Sequence, residues 1–204
     1  MKKNITRMLS LAMALCLSLS MMTVASAATN EATASGGSAT SSVTLSSTAD
    51  GTLDGTPAAT AMSVTVPTVL PIAVGTDGAV TTATNAKITN NSYGAVKVSS
   101  VTINAARDWK LVDYTTNMAK EKVDSNLVGF AMTIGGGAQK ATSNSDQATQ
   151  NLLTDAIAGC YMTGVGDTSG NTLDVIYDAV ISPVSTAVTN TSIASVVFII
   201  DWDI

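Results

Sequence analysis

The stretch that decides the fold is "SIASVVFIIDWDI", residues 192 to 204. In an extended chain, alternate side chains point to opposite faces of a sheet. Ala194, Val196, Phe198, Ile200, Trp202 and Ile204 therefore share one wholly apolar face, while Ile193, Ser195, Val197, Ile199, Asp201 and Asp203 share the other. Because Val196 to Ile200 is apolar on both faces, this strand is expected at the centre of a sheet, as buried core. Asp201 and Asp203 lie on one face beside Trp202, where they could bind a cation or a basic ligand. Charges that keep a strand edge from aggregating explain them equally well.

Working upstream, the same two-residue rhythm recurs between turn signals. "MSVTVPTVLPIAV" at 62 to 74 is β-branched, and Pro67 and Pro71 confine it to a sheet edge or a change of direction. "TDG" at 76 to 78, "NSYG" at 91 to 94 and "GDTSGN" at 166 to 171 read as turns. In "AVKVSSVTIN", Val96 and Val98 are followed across Ser99 and Ser100 by Val101 and Ile103, so the inward face slips by one residue. That slip predicts a β-bulge. "LVGFAMTI" at 127 to 134 sets large Val128, Phe130, Met132 and Ile134 against small Gly129 and Ala131, and "TLDVIYDAVISP" at 172 to 183 is a further strand. "TTNMAKEKVDSN" at 115 to 126 reads as a solvated charged loop. "NSDQATQNLLTDAIA" at 144 to 158 breaks the rhythm: Leu152, Leu153, Ala156 and Ile157 fit one face of a short helix, with Ser145 or Asp146 to cap it. The expected fold is all-β, a single β-sandwich of Greek-key or Ig-like type with one short helix, spanning residues 61–204.

The N-terminal part has a different composition. "MKKNITR" is basic, "MLSLAMALCLSLSMM" is apolar and "ASA" at 25 to 27 offers small residues for cleavage, so residues 1–27 read as a secretory signal peptide. Leu15 before Cys16 does not suit a lipoprotein cleavage site. Residues 28–60 are rich in Ser, Thr, Ala and Gly without an aromatic ring, which reads as a flexible leader. Within it "SSVTLSS" alternates Val43 and Leu45 with hydroxyl residues, so it could add as a strand to an exposed sheet edge.

Export changes the charge balance. Residues 1–27 carry Lys2, Lys3 and Arg7 and no acidic residue, so their removal takes the net charge from −5 to −8. An acidic chain disfavours nucleic acid and anionic membranes as partners. Cys160 would be the remaining cysteine, which leaves no internal disulfide; it could cross-link two copies, but a buried free thiol is the commoner fate. Stability must then come from packing, a bound ion or assembly.

The chain contains no histidine, which removes Ser-His-Asp and Cys-His catalysis and the common zinc sites together. Glu31 and Glu121 are its two glutamates, and no spacing of aspartates suggests a glycosidase pair. "DTSGNTLDVIYD", Asp167 to Asp178, has oxygen donors at positions one, three, five and twelve of a calcium loop. Thr172 stands where that loop needs glycine, so a polar turn is the preferred reading. No catalytic residue, cofactor or metal is expected, and the chain is read as a non-enzyme.

The two tryptophans lie in similar settings. "DWKL" places Trp109 two residues before Leu111, and "DWDI" places Trp202 two before Ile204. With the upstream "SVTVPTVLPIAV", these motifs resemble the WxL domain of bacterial cell-surface proteins over roughly residues 62–204. The resemblance implies a secreted Gram-positive protein that associates noncovalently with peptidoglycan or other surface proteins, with Trp109, Leu111, Trp202 and Ile204 as the wall-binding motif. Ile204 stands in place of the second leucine. The plan of signal peptide, polar leader and one β domain is also similar to camelysin-type biofilm fibre subunits, which implies self-association through an N-terminal donor strand. Adhesion at the cell wall and a fibre of the extracellular matrix are thus the two functions expected.

Overall fold

In the computed structural model, residues 60–143 and 147–204 are described. The expected signal peptide and all but the last residue of the leader lie outside them. Among the described residues twelve strands follow one another: β1 (Val64–Thr65), β2 (Ile72–Val74), β3 (Val80–Thr82), β4 (Lys87–Asn90), β5 (Val96–Ala105), β6 (Lys110–Leu111), β7 (Leu127–Ile134), β8 (Lys140–Ala141), β9 (Thr149–Leu153), β10 (Tyr161–Met162), β11 (Thr172–Ile181) and β12 (Ala194–Trp202). The chain is all-β, and its helical content among the described residues is one 3-10 turn at Met118–Lys120. Asn117 caps that turn, its side chain accepting from the Ala119 N–H.

The strands form three sheets. Six belong to the order β1-β4-β11-β7-β6 with β8 also on β7, four to β10-β5-β12 with β9 also on β5, and β2 and β3 make a hairpin. Pairing is antiparallel except between β6 and β7, which run parallel. Side chains from both larger sheets meet in one buried cluster, with Val96, Val98, Val101 and Ile103 of β5 against Val128, Phe130 and Met132 of β7 and Val175 and Tyr177 of β11. Phe130 and Tyr177 stack with ring centroids 6.2 Å apart. The Tyr177 hydroxyl donates to Pro71 C=O and accepts from the Ala83 N–H, which ties the β2–β3 hairpin to the core. Gly78, with φ of +80°, closes that hairpin where "TDG" predicts a turn.

Pattern and structure agree at β1, an edge strand as its following prolines require, and at the bulge in β5. Ile199 pairs with Ser100 and Ile200 with Val98, so Ser99 is the extra residue, and its hydroxyl donates to Ile199 C=O. The expected helix over 144–158 is replaced by β9 at 149–153, with residues 144–146 outside the described set. A second bulge explains the misleading pattern. Val101 pairs with Leu153 but Thr102 with Asn151, so Leu152 is an extra residue, and both Leu152 and Leu153 are buried. Adjacent apolar residues came to one side through a bulge, which mimics the i, i+1 clustering of a helix face.

The other correction concerns β12. Among the described residues it pairs with β5 alone and ends the sheet, so it lies there as an edge strand and not a central one. Its even-numbered residues are half-buried against the core, while Val197 and Ile199 on the other face are 46% and 51% exposed.

Candidate functional site

The four motif residues are placed by two different strands. Asp108, held at a left-handed φ of +69°, turns the chain out of β5, and the Trp109 N–H donates back to Ala106 C=O. Trp109 is half-buried against the core, and Leu111 in β6 is fully buried beneath it in sequence, at 0% exposure. Trp202 pairs with Val96 at the opposite end of β5, and its ring covers Gly94 so closely that a Cβ there would lie 2.8 Å from Cζ3. The Asp203 N–H donates to Ala95 C=O, fixing the end of β12 beside that turn. Ile204 is fully exposed.

Trp109 is thus bonded just beyond one end of β5 and Trp202 is paired at the other, about 30 Å apart at the rise of a strand. The structure does not bring the four residues into one patch. Each tryptophan is partly buried and packs against the core.

The turn below Trp202 is organised by Asn90, which is buried. Its amide donates to Gly94 C=O and Thr163 C=O, and its carbonyl accepts from the Ser92 N–H. Ser92 in turn bonds the backbone of Ser63, so residues 63, 90–94 and 163 form one hydrogen-bonded corner with every side-chain group of Asn90 partnered. The sequence marks "NSYG" as a turn, but no local pattern singles out the buried asparagine that holds it.

The calcium-loop candidate comes apart in the same way. Asp167 accepts from the Ser169 hydroxyl at 2.6 Å and from the Ser169 N–H, bonds that hold its carboxyl below the ordinary value and close a local turn. Asp174 on β11 pairs with Lys87 at 2.6 Å, and Asp178 accepts from the Tyr114 hydroxyl at 2.7 Å, which raises the tyrosine's pKa. No group of three or more acidic, Cys or His side chains suited to a metal occurs among the described residues. Cys160 is 1% exposed, lining a small apolar cleft with Met132, Leu152 and Leu153, so its thiol is not presented to another molecule.

What remains is the edge of β12. The bonds at its two ends, Ala106 N–H to Ile193 C=O and Asp203 N–H to Ala95 C=O, set the parity: odd-numbered residues turn their main-chain groups to β5. The N–H and C=O of Ala194, Val196, Phe198, Ile200 and Trp202 then point away from the sheet, and no described strand pairs with them. An unpaired run of this length with apolar side chains above and below is a template for another strand. Its signal in the sequence is the second apolar face, Val197 and Ile199.

Comparison with protein-family models, curated proteins and solved structures gives no match to this chain. No helix among the described residues is long and apolar enough to cross a membrane.

Proposed function

We propose that this chain is a secreted, non-enzymatic structural protein of the bacterial cell surface that works by associating with copies of itself, as a subunit of an extracellular matrix or fibre. The observation that carries this reading is the outer edge of β12, apolar on both faces from Val196 to Ile200, where the main-chain groups of its five even-numbered residues meet no strand among the described residues. Such an edge is a template for main-chain pairing, and an added strand exchanges water for strand hydrogen bonds while removing the apolar surface of Val197 and Ile199 from water. The signal-peptide pattern of residues 1–27 supports export, and the absence of histidine from the sequence supports a role without acid–base chemistry. Noncovalent wall association through Trp109, Leu111, Trp202 and Ile204 is the function that the WxL-like motifs imply. It finds less support, because Leu111 is buried and the two rings lie at opposite ends of β5.

The test is to purify the chain from Ala28 onward and compare its sedimentation and negative-stain images with its retention on isolated peptidoglycan sacculi. Concentration-dependent association without retention is the expected outcome. A monomer retained on sacculi, and released by Trp109→Ala or Trp202→Ala with an unchanged circular-dichroism spectrum, would reverse the choice.

A further inference from the structure

We infer that the strand received by the β12 edge is β12 of a second copy, paired antiparallel about a two-fold axis at Phe198. This rests on the assembly reading above and names the partner at that edge.

The occupant must suit both faces of the edge. On the inner side it meets half-buried Val196, Phe198 and Ile200, and on the outer side exposed Val197 and Ile199. The leader segment "SSVTLSS" is apolar at one parity, Val43 and Leu45, and would set serine and threonine against the other face. β12 itself is apolar at both parities over Val196 to Ile200.

The register follows from symmetry and charge. With Phe198 opposite Phe198 of the second copy, Val196 faces Ile200, and small Ala194 faces large Trp202. On the outer face Val197 faces Ile199, and Asp201 faces Ser195. Moving the axis to Ile200 would instead set Asp201 against Ile199 and Asp203 against Val197. Moving it to Ile199 would set Asp201 against Val197. The Phe198 axis also keeps each Asp201 away from its own counterpart, which matters in an acidic chain where like charges directly opposite destabilise pairing.

Hydrogen bonding agrees with the same axis. The even-numbered residues carry the outward main-chain groups, so each even–even pair exchanges two bonds, about ten over the whole strand. The odd-numbered outer residues then form the closer, non-hydrogen-bonded pairs, with Cα atoms about 4.5 Å apart. The two four-stranded sheets become one continuous sheet across the axis, which removes both exposed edges at β12. An edge about 30 Å long is a small specific interface, so dissociation is expected at about micromolar concentration.

The register gives a test by oxidation. Val197→Cys and Ile199→Cys are made separately in the chain from Ala28, with tags of different mass. Both positions are exposed, so folding is not at risk, and the wild-type chain with buried Cys160 is the control. Position 197 lies opposite 199 of the second copy, within disulfide reach. It lies on a diagonal about 7–8 Å from its own counterpart, beyond that reach. Mixing the two variants should yield the disulfide heterodimer at least about tenfold more readily than either variant yields a homodimer. Val43→Asp with Leu45→Asp should leave that yield unchanged. If the chains associate but the mixture does not cross-link preferentially, the pairing is wrong while the assembly reading stands, and loss of association on altering Val43 and Leu45 would make the leader the occupant. If the wild-type chain stays monomeric at about 100 μM, a hundredfold above the expected dissociation range, the assembly reading itself fails.

Discussion

β7 and β12 look alike in sequence and differ in fate. Both are apolar at nearly every position, "LVGFAMTI" against "ASVVFIIDW". β7 is paired on both edges, by β11 on one side and by β6 and β8 on the other, and six of its eight residues are buried, on both faces. β12 is paired on one edge and half-exposed. The distinction lies in the small residues. A Cβ at Gly129 would stand 2.8 Å from the Tyr114 Cα and 3.0 Å from the Asp113 C=O, so a second layer of chain lies directly on β7. Val197 and Ile199 of β12 are instead about half exposed. A strand apolar on both faces is interior when one face is small enough to be covered by its own chain; otherwise it is an edge that another molecule can cover.

The sharpest way to break this comparison is to truncate the equivalent aromatics. Phe130→Ala removes a ring that is buried and stacked on Tyr177, and is expected to cost about 3–5 kcal/mol in urea unfolding. Phe198→Ala, at a half-buried position, should cost the monomer less than half of that. Equal losses would mean that β12 is as interior as β7. Next in size, Gly129→Val should lose about 1–3 kcal/mol by overpacking against the 113–114 backbone, whereas Val197→Thr on β12 should stay within about 0.5 kcal/mol.

The pH response sharpens the same picture of a fold held by packing. Asp113, Asp124 and Asp167 have carboxyls held low by hydrogen bonds from Thr115, Ser185 and Ser169. A group whose pKa falls on folding stabilises above its unfolded value, near 4, and that contribution is lost as pH falls through the folded value. Tyr114 is raised by its bond to Asp178, so its contribution is full below about 10 and is lost as pH rises through the folded value. Without histidine, the unfolding midpoint should be level between about pH 5 and 9 and fall outside those limits. A midpoint that moves by several degrees between pH 6 and 7.5 would contradict this.

Much of the architecture was legible because burial imposes the period of two. The all-β class, the turn at Gly78, the edge position of β1 and the bulge at Ser99 follow from residue order, because a slip in alternation leaves no other way to keep Val96, Val98, Val101 and Ile103 inward. β9 was misread because Leu152 and Leu153 reach the same side through a bulge, and periodicity cannot tell that from a helix turn. The site was less legible. Which edge of a sheet stays open depends on pairing between residues far apart in the chain, such as Trp202 with Val96 and Ala194 with Ala105, and no local pattern carries it. The W-x-[LI] spacing, being local, pointed instead to residues that the fold separates.

The most direct test of the central claim is sedimentation velocity on the chain from Ala28 over about 1 to 100 μM, beside Val197→Lys. Reversible association of the wild-type chain is the expected result. The lysine is expected to weaken association at least about tenfold, because its charge would be set against Ile199 of the second copy, while the unfolding midpoint stays within about 2 °C. Association that survives the lysine unchanged, or a wild-type chain monomeric throughout, would contradict the central claim.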